Sequence, residues 1–182
     1  MSTREAYLRV QKWLESDRLG ILNISELELT KLPDNFPLDF NGKLDCSWNN
    51  LTSLSLPKAI NVKCSWNNLT SLSLPMATEV DCCTNQLTDL SLPMAIIVAC
   101  SWNRLTSLSL PLATVVYCFN NQLTTLSLPM ATYVHCDDNQ LTALSLPMAI
   151  DVFCANNQLT DLYLPMANNV SCYNNHFSKL MN

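Results

Sequence analysis

Glycine and charge are both scarce in this 182-residue chain, which holds two glycines and only 14% charged residues. So little glycine excludes collagen-like and Gly/Ser-rich sequences. Low charge combined with 48% hydrophobic residues excludes a disordered tail or a solvated linker. Acidic residues outnumber basic ones by 15 to 10, and the net charge of −5 argues against a protein that grips nucleic-acid phosphates.

Long apolar segments and catalytic motifs are also missing from the sequence. No apolar run approaches the ~18 residues that a membrane span needs, and the first residues lack the apolar core of a secretory signal. No Ser/His/Asp pattern and no Gly-rich phosphate motif occurs. We therefore expect a non-enzymatic protein of the reducing cytoplasm, with no cofactor and with neither nucleic acid nor membrane as partner.

Cysteine, in contrast, is abundant, and eight of the nine cysteines recur every eighteen residues. They are Cys46, Cys64, Cys82, Cys100, Cys118, Cys136, Cys154 and Cys172. Aligned on them, the chain repeats the unit A-x-x-V-x-C-x-x-N-x-L-T-x-L-x-L-P-x. A fixed period of this length is the mark of a repeat solenoid.

The unit follows the leucine-rich-repeat signature L-x-x-L-x-L-x-x-N-x-L, with Ala, Val and Cys at three of its apolar positions. Because Val-x-Cys alternates with period two, both side chains enter one face of a short strand. An inward-turned Asn three residues after Cys can satisfy backbone groups that stacked coils bury. The sequence therefore predicts a parallel sheet with an asparagine ladder beside it.

The opposite wall of each coil is predicted to be extended or polyproline-like. Eighteen residues cannot hold a strand, two turns and a full helix, and the Pro after Leu-x-Leu blocks helix continuation. Such a narrow return wall predicts shallow curvature with twist in a right-handed solenoid. Nine units at ~4.8 Å give a long axis of roughly 40 Å.

The sequence divides into a capping helix over 1–18, a degenerate first repeat over 19–40 and the solenoid over 41–182. Ser2-Thr3-Arg4-Glu5 matches a capping box, and an apolar face at helical spacing follows it. At the other end, we expect Phe177 and Leu180 to protect the last coil, or its open edge to associate. The prediction is a monomer or a weak homodimer through the C-terminal edge.

The cysteine ladder is predicted to be reduced and to hold no metal. Parallel Cβ vectors on stacked strands suit a disulfide poorly, and no C-x-x-C spacing offers a zinc site. Small buried thiols filling a narrow core account for the pattern. Cys83, next to Cys82, is predicted to face outward as the accessible thiol.

Outward positions around the strands vary from repeat to repeat while inward ones barely change, which places function on the strand face. We predict protein binding there, since exposed Trp and Tyr clusters mark contact sites. The candidate residues are Trp48, Trp66, Trp102, Tyr117, Phe119, Tyr133, His135, Asp137, Asp138 and Phe153. The alternative is that these rings only stack on one another as cross-strand pairs.

Four of the outward residues, His135, Asp137, Asp138 and Asp151, form an acidic spot on the same face. A histidine beside carboxylates could ligate a divalent metal or serve acid–base chemistry. A flat surface offers no dry cleft to tune their pKa values. The favoured reading is a solvated acidic patch that contacts a basic partner.

A threonine ladder supports a different class of function, because regular Thr arrays on flat solenoids occur in ice-binding proteins. Its members are Thr52, Thr70, Thr88, Thr106, Thr124, Thr142 and Thr160. The ordinary interpretation is that these hydroxyls satisfy the backbone at the corner after the Asn turn. Ice binding, or a purely structural solenoid, is the alternative to a protein-binding function.

With N-x-L-T-x-L-x-L-P in nearly every unit, the chain resembles the short bacterial leucine-rich repeats of secreted effectors of the YopM and IpaH type. Those repeats run near twenty residues, with a non-helical convex wall after an N-terminal helical segment. This chain departs from them in its eighteen-residue unit, its Cys and its Leu-x-Leu-Pro. The resemblance implies a protein-binding module delivered into a host cytosol by a specialised secretion system. This sequence holds no ubiquitin-ligase domain of the IpaH type, so ligase activity is not implied.

Overall fold

Nine short strands form one parallel sheet in the computed structural model, which describes residues 2–177. In sheet order they are β1 (Ile21–Asn23), β2 (Lys43–Asp45), β4 (Asn61–Lys63), β6 (Glu79–Asp81), β7 (Ile97–Ala99), β9 (Val115–Tyr117), β11 (Tyr133–His135), β13 (Asp151–Phe153) and β15 (Asn169–Ser171). In the strands from β2 to β13 the central residue is buried and is followed, two positions later, by a buried cysteine. The predicted parallel solenoid is confirmed.

Neighbouring strands pair in a constant register because the repeat length is constant. Val62 lies opposite Val80, eighteen residues on, and the same offset holds along the rest of the sheet. Only the first pair differs, with Leu22 opposite Leu44, an offset of twenty-two. The four additional residues before the first regular unit therefore leave the register intact.

One helix, α1 (Ser2–Leu14), covers the first coil, as the N-terminal apolar pattern predicts. It buries Ala6, Val10 and Trp13, and the Trp13 indole Nε1 donates to the Gly20 carbonyl at 3.1 Å. The Trp13 ring also packs on Phe40, with centroids 5.3 Å apart. Phe40 belongs to the longer first unit, so the inserted residues bring an aromatic side chain under the cap.

The return wall is extended and contains short strands of its own. They are β3 (Ser53–Ser55), β5 (Ser71–Ser73), β8 (Ser107–Ser109), β10 (Thr125–Ser127), β12 (Ala143–Ser145) and β14 (Asp161–Tyr163). These pair two by two, β3 with β5, β8 with β10 and β12 with β14. The segment 89–91 stays outside this pairing. The non-helical return wall is confirmed, and its pairing, unlike that of the main sheet, is interrupted.

Each coil returns to the main sheet through a tight Leu-Pro-x-Ala turn. The Ala N–H donates to the Leu carbonyl three residues earlier, as in Ala59 to Leu56 at 3.3 Å and Ala77 to Leu74 at 3.2 Å. Proline at the second position fixes the φ that such a turn requires. The turn seats a fully buried alanine at the entrance to the next strand.

The asparagine three residues after each ladder cysteine joins every coil to the coil before it. Asn67 Nδ2 donates to the carbonyls of Cys46 and Cys64, at 3.0 and 3.1 Å. Its Oδ1 accepts the N–H of Leu51 at 3.0 Å. The same bonds recur in the other regular coils through Asn49, Asn85, Asn103, Asn121, Asn139, Asn157 and Asn175. The predicted asparagine ladder is confirmed.

All nine cysteines are free thiols, and the ladder lies at the centre of the core. Desolvation, followed by the proximity of neighbouring cysteines, raises the pKa of the Cys64, Cys82 and Cys100 thiols well above its usual value. Burial raises the pKa of Cys154 to about 12. A protonated thiol is the form that a dry core accommodates.

At the C-terminal end of the described chain, β15 is the outer strand of the sheet, and it is more exposed than the others. Its central residue Val170 is 41% exposed, where Val152 of β13 is fully buried. Phe177 is also partly exposed, and Leu180, predicted to cover this edge, lies outside the described residues. Among residues 2–177, no helix has the length and apolar character to cross a membrane.

We predict that Asn67→Ala lowers the free energy of unfolding by about 1–3 kcal/mol. The substitution leaves the buried N–H of Leu51 without a partner and removes one of the two amide donors from the Cys46 and Cys64 carbonyls, which Asn49 and Asn85 still contact. The adjacent Asn68 is exposed, and Asn68→Ala is the matched control, with an expected loss below ~0.5 kcal/mol. Urea unfolding followed by circular dichroism measures both variants. Equal losses would contradict the role of the ladder.

We also predict that stability falls as the pH rises above 9. The ladder thiols have pKa values raised above the usual 9.0, so the unfolded chain loses its protons first and gains from high pH. Iodoacetamide at pH 9 should leave Cys100 and Cys118 unlabelled in the native protein and label both in urea, as read by peptide mass spectrometry. Rapid labelling of the native ladder, or ladder disulfides under non-reducing conditions, would contradict the buried reduced core.

Candidate interaction surface

The strand face comprises the outward residues of the nine-stranded sheet and the two residues that follow each ladder cysteine. At the second of these positions the backbone is left-handed in every regular coil, with φ between 53° and 58°. Asn and Asp tolerate this conformation and occupy it in four coils, but Trp48, Trp66 and Trp102 hold it in three others. Bulky residues are uncommon there, so the sequence gives up local backbone preference to present indole rings.

Two of these indoles form an exposed stack at the N-terminal end of the strand face. The rings of Trp48 and Trp66 are 4.3 Å apart and inclined by only 7°, and both side chains remain about half exposed. Trp102, 57% exposed, meets the edge of Phe119 with centroids 6.5 Å apart. The coil between them has Thr84 at this position, which separates the stack from Trp102.

A second aromatic group lies further along the sheet, around a histidine. The His135 ring stacks on Phe119 at 4.5 Å and lies 5.3 Å from Phe153. Tyr133 is 5.1 Å from Tyr117 and 5.8 Å from Phe153. All five side chains are partly exposed. The structure thus brings these predicted residues together. Their rings pack on one another and are also partly exposed to solvent.

The acidic residues are hydrogen-bonded along the sheet. Asp137 Oδ2 lies 2.9 Å from His135 Nε2, and its Oδ1 accepts the N–H of Ala155 at 2.7 Å. Asp138 accepts from the Asn156 side-chain amide at 2.9 Å. Within residues 2–177, no three His, Cys, Asp or Glu side chains converge as a metal site would require. The carboxylate of Asp137 therefore acts to fix the histidine and the next coil.

The threonine ladder lies at the corner that leads to the return wall. Thr70, Thr124 and Thr160 each donate their hydroxyl to the carbonyl of the threonine one coil earlier, at 3.2–3.3 Å. Thr88 instead contacts Asp89. These bonds satisfy the backbone at the corner, as the ordinary interpretation predicts. They occur between the same coils whose return-wall strands pair, β3 with β5, β8 with β10 and β12 with β14.

Cys83 is less accessible than its position beside the ladder predicts. Its side chain is partly buried, and burial, followed by the charge of Asp81, raises the pKa of the thiol to about 12. At the corresponding position Ser65 and Ser101 are also buried, whereas Phe119 and Tyr173 in later coils are partly or largely exposed. A thiol that stays protonated is a poor nucleophile.

Sequence reasoning missed an exposed apolar row on another wall, at the residue that follows each turn proline. It consists of Met76, Met94, Leu112, Met130, Met148 and Met166, all between 43% and 58% exposed. The signal was present in the sequence, because methionine recurs at one position in five units.

These features define a leucine-rich-repeat fold: parallel strands every eighteen residues, an asparagine ladder and an extended return wall. No protein-family model and no curated protein sequence matches the chain. Among solved structures it is similar to YopM from Yersinia enterocolitica WA-314, at 21% identity over 98% of this chain and 52% of that one, with a TM-score of 0.52. The functional domain of InlJ from Listeria monocytogenes, described as including a cysteine ladder, matches at 21% identity over 86% of this chain and 49% of that one, with a TM-score of 0.44. The chain thus spans about half the length of either structure, and the YopM likeness shows a shared fold.

We predict that Trp102→Asn changes the free energy of unfolding by less than ~1 kcal/mol, since Asn relieves the left-handed backbone as the ring contact with Phe119 is lost. Trp102→Val removes the same ring but places a β-branched residue at this φ. It should unfold about 1–2 kcal/mol more easily than the Asn variant. Urea unfolding of the two variants tests this, and equal midpoints would contradict a backbone origin for the difference.

Proposed function

We propose that the chain is a protein-binding module whose partner contacts the strand face. The observation that carries this is the display of Trp48, Trp66 and Trp102 at left-handed backbone positions, each about half exposed. Backbone strain kept at an exposed position is a sign of function, and tryptophan is the most effective interface anchor.

The partner is expected to combine apolar side chains with basic ones. From β7 onward the strand face offers aromatic rings and the carboxylates of Asp137, Asp138 and Asp151. A basic partner is steered towards such a surface and its apolar residues then cover the rings. The aromatic contacts already present hold the rings in place, which lowers the entropy lost on binding.

The partner we propose is a host-cell protein, with the chain acting as a bacterial effector. This rests on the resemblance of the N-x-L-T-x-L-x-L-P units to those of YopM and IpaH type effectors. The YopM-like fold is consistent with it.

The test compares the protein with its Trp66→Ala/Tyr117→Ala/Phe153→Ala variant as bait in host-cell lysate. We expect the variant to lose its specific partner by at least ~100-fold in affinity, because removing even one or two anchors costs several kcal/mol. The matched control is Ser73→Ala/Ser109→Ala/Ser127→Ala on the return wall, which should retain the partner. Unchanged recovery by the aromatic variant would contradict the proposal.

Two further measurements separate a lost surface from a lost fold and from the alternative function. Far-ultraviolet circular dichroism and urea unfolding should show that the aromatic variant remains folded. Thermal hysteresis in the unmodified protein would favour ice binding by the threonine ladder over protein binding.

A further inference from the structure

A second exposed surface runs along the wall between the return wall and the main sheet. It is formed by the Pro-Met or Pro-Leu pairs of the turns and, two residues later, by Ile60, Ile96 and Ile150, which are 42–48% exposed. We call this surface the Pro-Met wall. It contains none of the residues proposed for the strand face.

The turn geometry explains why these side chains point outward. In each Leu-Pro-x-Ala turn, proline is the second residue and alanine the fourth, and the alanines from Ala59 to Ala149 are fully buried. The third residue has no left-handed φ among residues 2–177, so the turns are of type I, which accepts most residues at this position. Methionine is therefore not required by the turn, and its recurrence there calls for another reason.

The Pro-Met wall gathers nine half-exposed apolar side chains along one wall of the solenoid. Six half-exposed Met and Leu side chains stand in register with three half-exposed isoleucines and the turn prolines. Contiguous apolar patches on monomers rarely exceed a few hundred Å², and a specific interface buries about 800 Å² on each partner. Nine side chains of this size, each about half exposed, provide an area of that order.

The wall is also almost free of charge, although the chain has a net charge of −5. Between 57 and 168, the residues of the two rows include one charged side chain, Lys58. Two acidic molecules that meet here bring no like charges into contact. An anionic membrane surface would require several basic residues around the apolar ones, and the wall has one.

The distance between successive coils indicates which partner fits the Pro-Met wall. The residues that follow the turn prolines of successive coils have the ~4.8 Å spacing of the sheet. Their side chains can therefore interdigitate along the whole wall only with a surface of the same spacing. Another copy of this chain presents that spacing by construction. We infer that two copies associate through their Pro-Met walls in a two-fold symmetric dimer. Leu112, the fourth of the seven positions from Lys58 to Met166 that follow a turn proline, then faces its counterpart in the other copy.

The first test is the oligomeric state measured by sedimentation equilibrium. We expect a dimer for the unmodified protein and at least a ~100-fold weaker association for Leu112→Asp, because a pair of carboxylates would then face one another. Ser109→Asp is the matched control, an exposed residue of β8 on the return wall, and it should dimerise normally. The Trp66→Ala/Tyr117→Ala/Phe153→Ala variant should also dimerise, which separates this surface from the strand face.

The second test uses charge reversal to show whether residue 112 of one copy directly contacts residue 112 of the other. Leu112→Lys alone should be monomeric, whereas an equimolar mixture of Leu112→Asp and Leu112→Lys should form a heterodimer, since opposite charges then meet at the symmetry axis. An unmodified protein that remains monomeric at about 100 µM, or a Leu112→Asp variant that dimerises normally, would overturn the inference. So would a mixture that fails to associate.

Discussion

Each coil of this solenoid leaves the main sheet at a corner where its backbone groups would be buried without partners, and a side chain rather than another strand supplies those partners. Asn67 and its counterparts contact carbonyls of two successive coils and an N–H of the preceding one. An unpartnered buried amide or carbonyl costs about 1–3 kcal/mol, and the corner recurs in every regular unit. The asparagine therefore sets the register in which the valine and cysteine columns stack. The narrow core accommodates the cysteine column because burial raises the pKa of the thiols and keeps them protonated.

The inward pattern could be predicted from the sequence because each buried position must solve the same problem in every unit. Val-x-Cys fixes the strand, Asn the corner and Pro the turn, and the structure follows all three. Pairing on the return wall could not be predicted in the same way. Each of its segments has Leu at the centre, and Asp precedes that Leu both in the paired segment 161–163 and in the unpaired segment 89–91. The repeat pattern predicts which residues align in successive coils. It does not predict whether the aligned backbones lie close enough to form hydrogen bonds.

On the strand face, too, the sequence shows which residues are outward and the structure shows what that means. The left-handed position two residues after cysteine is visible only as a mixture of Asn, Asp, Thr and Trp. Asparagine adopts the left-handed backbone readily, whereas tryptophan is unusual at such a position. The three tryptophans therefore stand out only when the φ angles are known. Cys83 illustrates the opposite case. Alternation places it outward, but its thiol is partly buried, and the serines at the same position in the neighbouring coils, Ser65 and Ser101, are buried.

A solenoid separates its surfaces more cleanly than a globular fold, because each wall of the coil is an independent column of repeat positions. The strand face and the Pro-Met wall use different columns, so substitutions in one leave the other intact. If two copies meet at the Pro-Met wall, the dimer presents two strand faces on one rigid body. A target with two binding sites would then be held by both, and the second contact would be intramolecular, which raises the apparent affinity without any new contact. Dimerisation and aromatic display would in that case act on the same property, the residence time on the partner, through separate parts of the repeat.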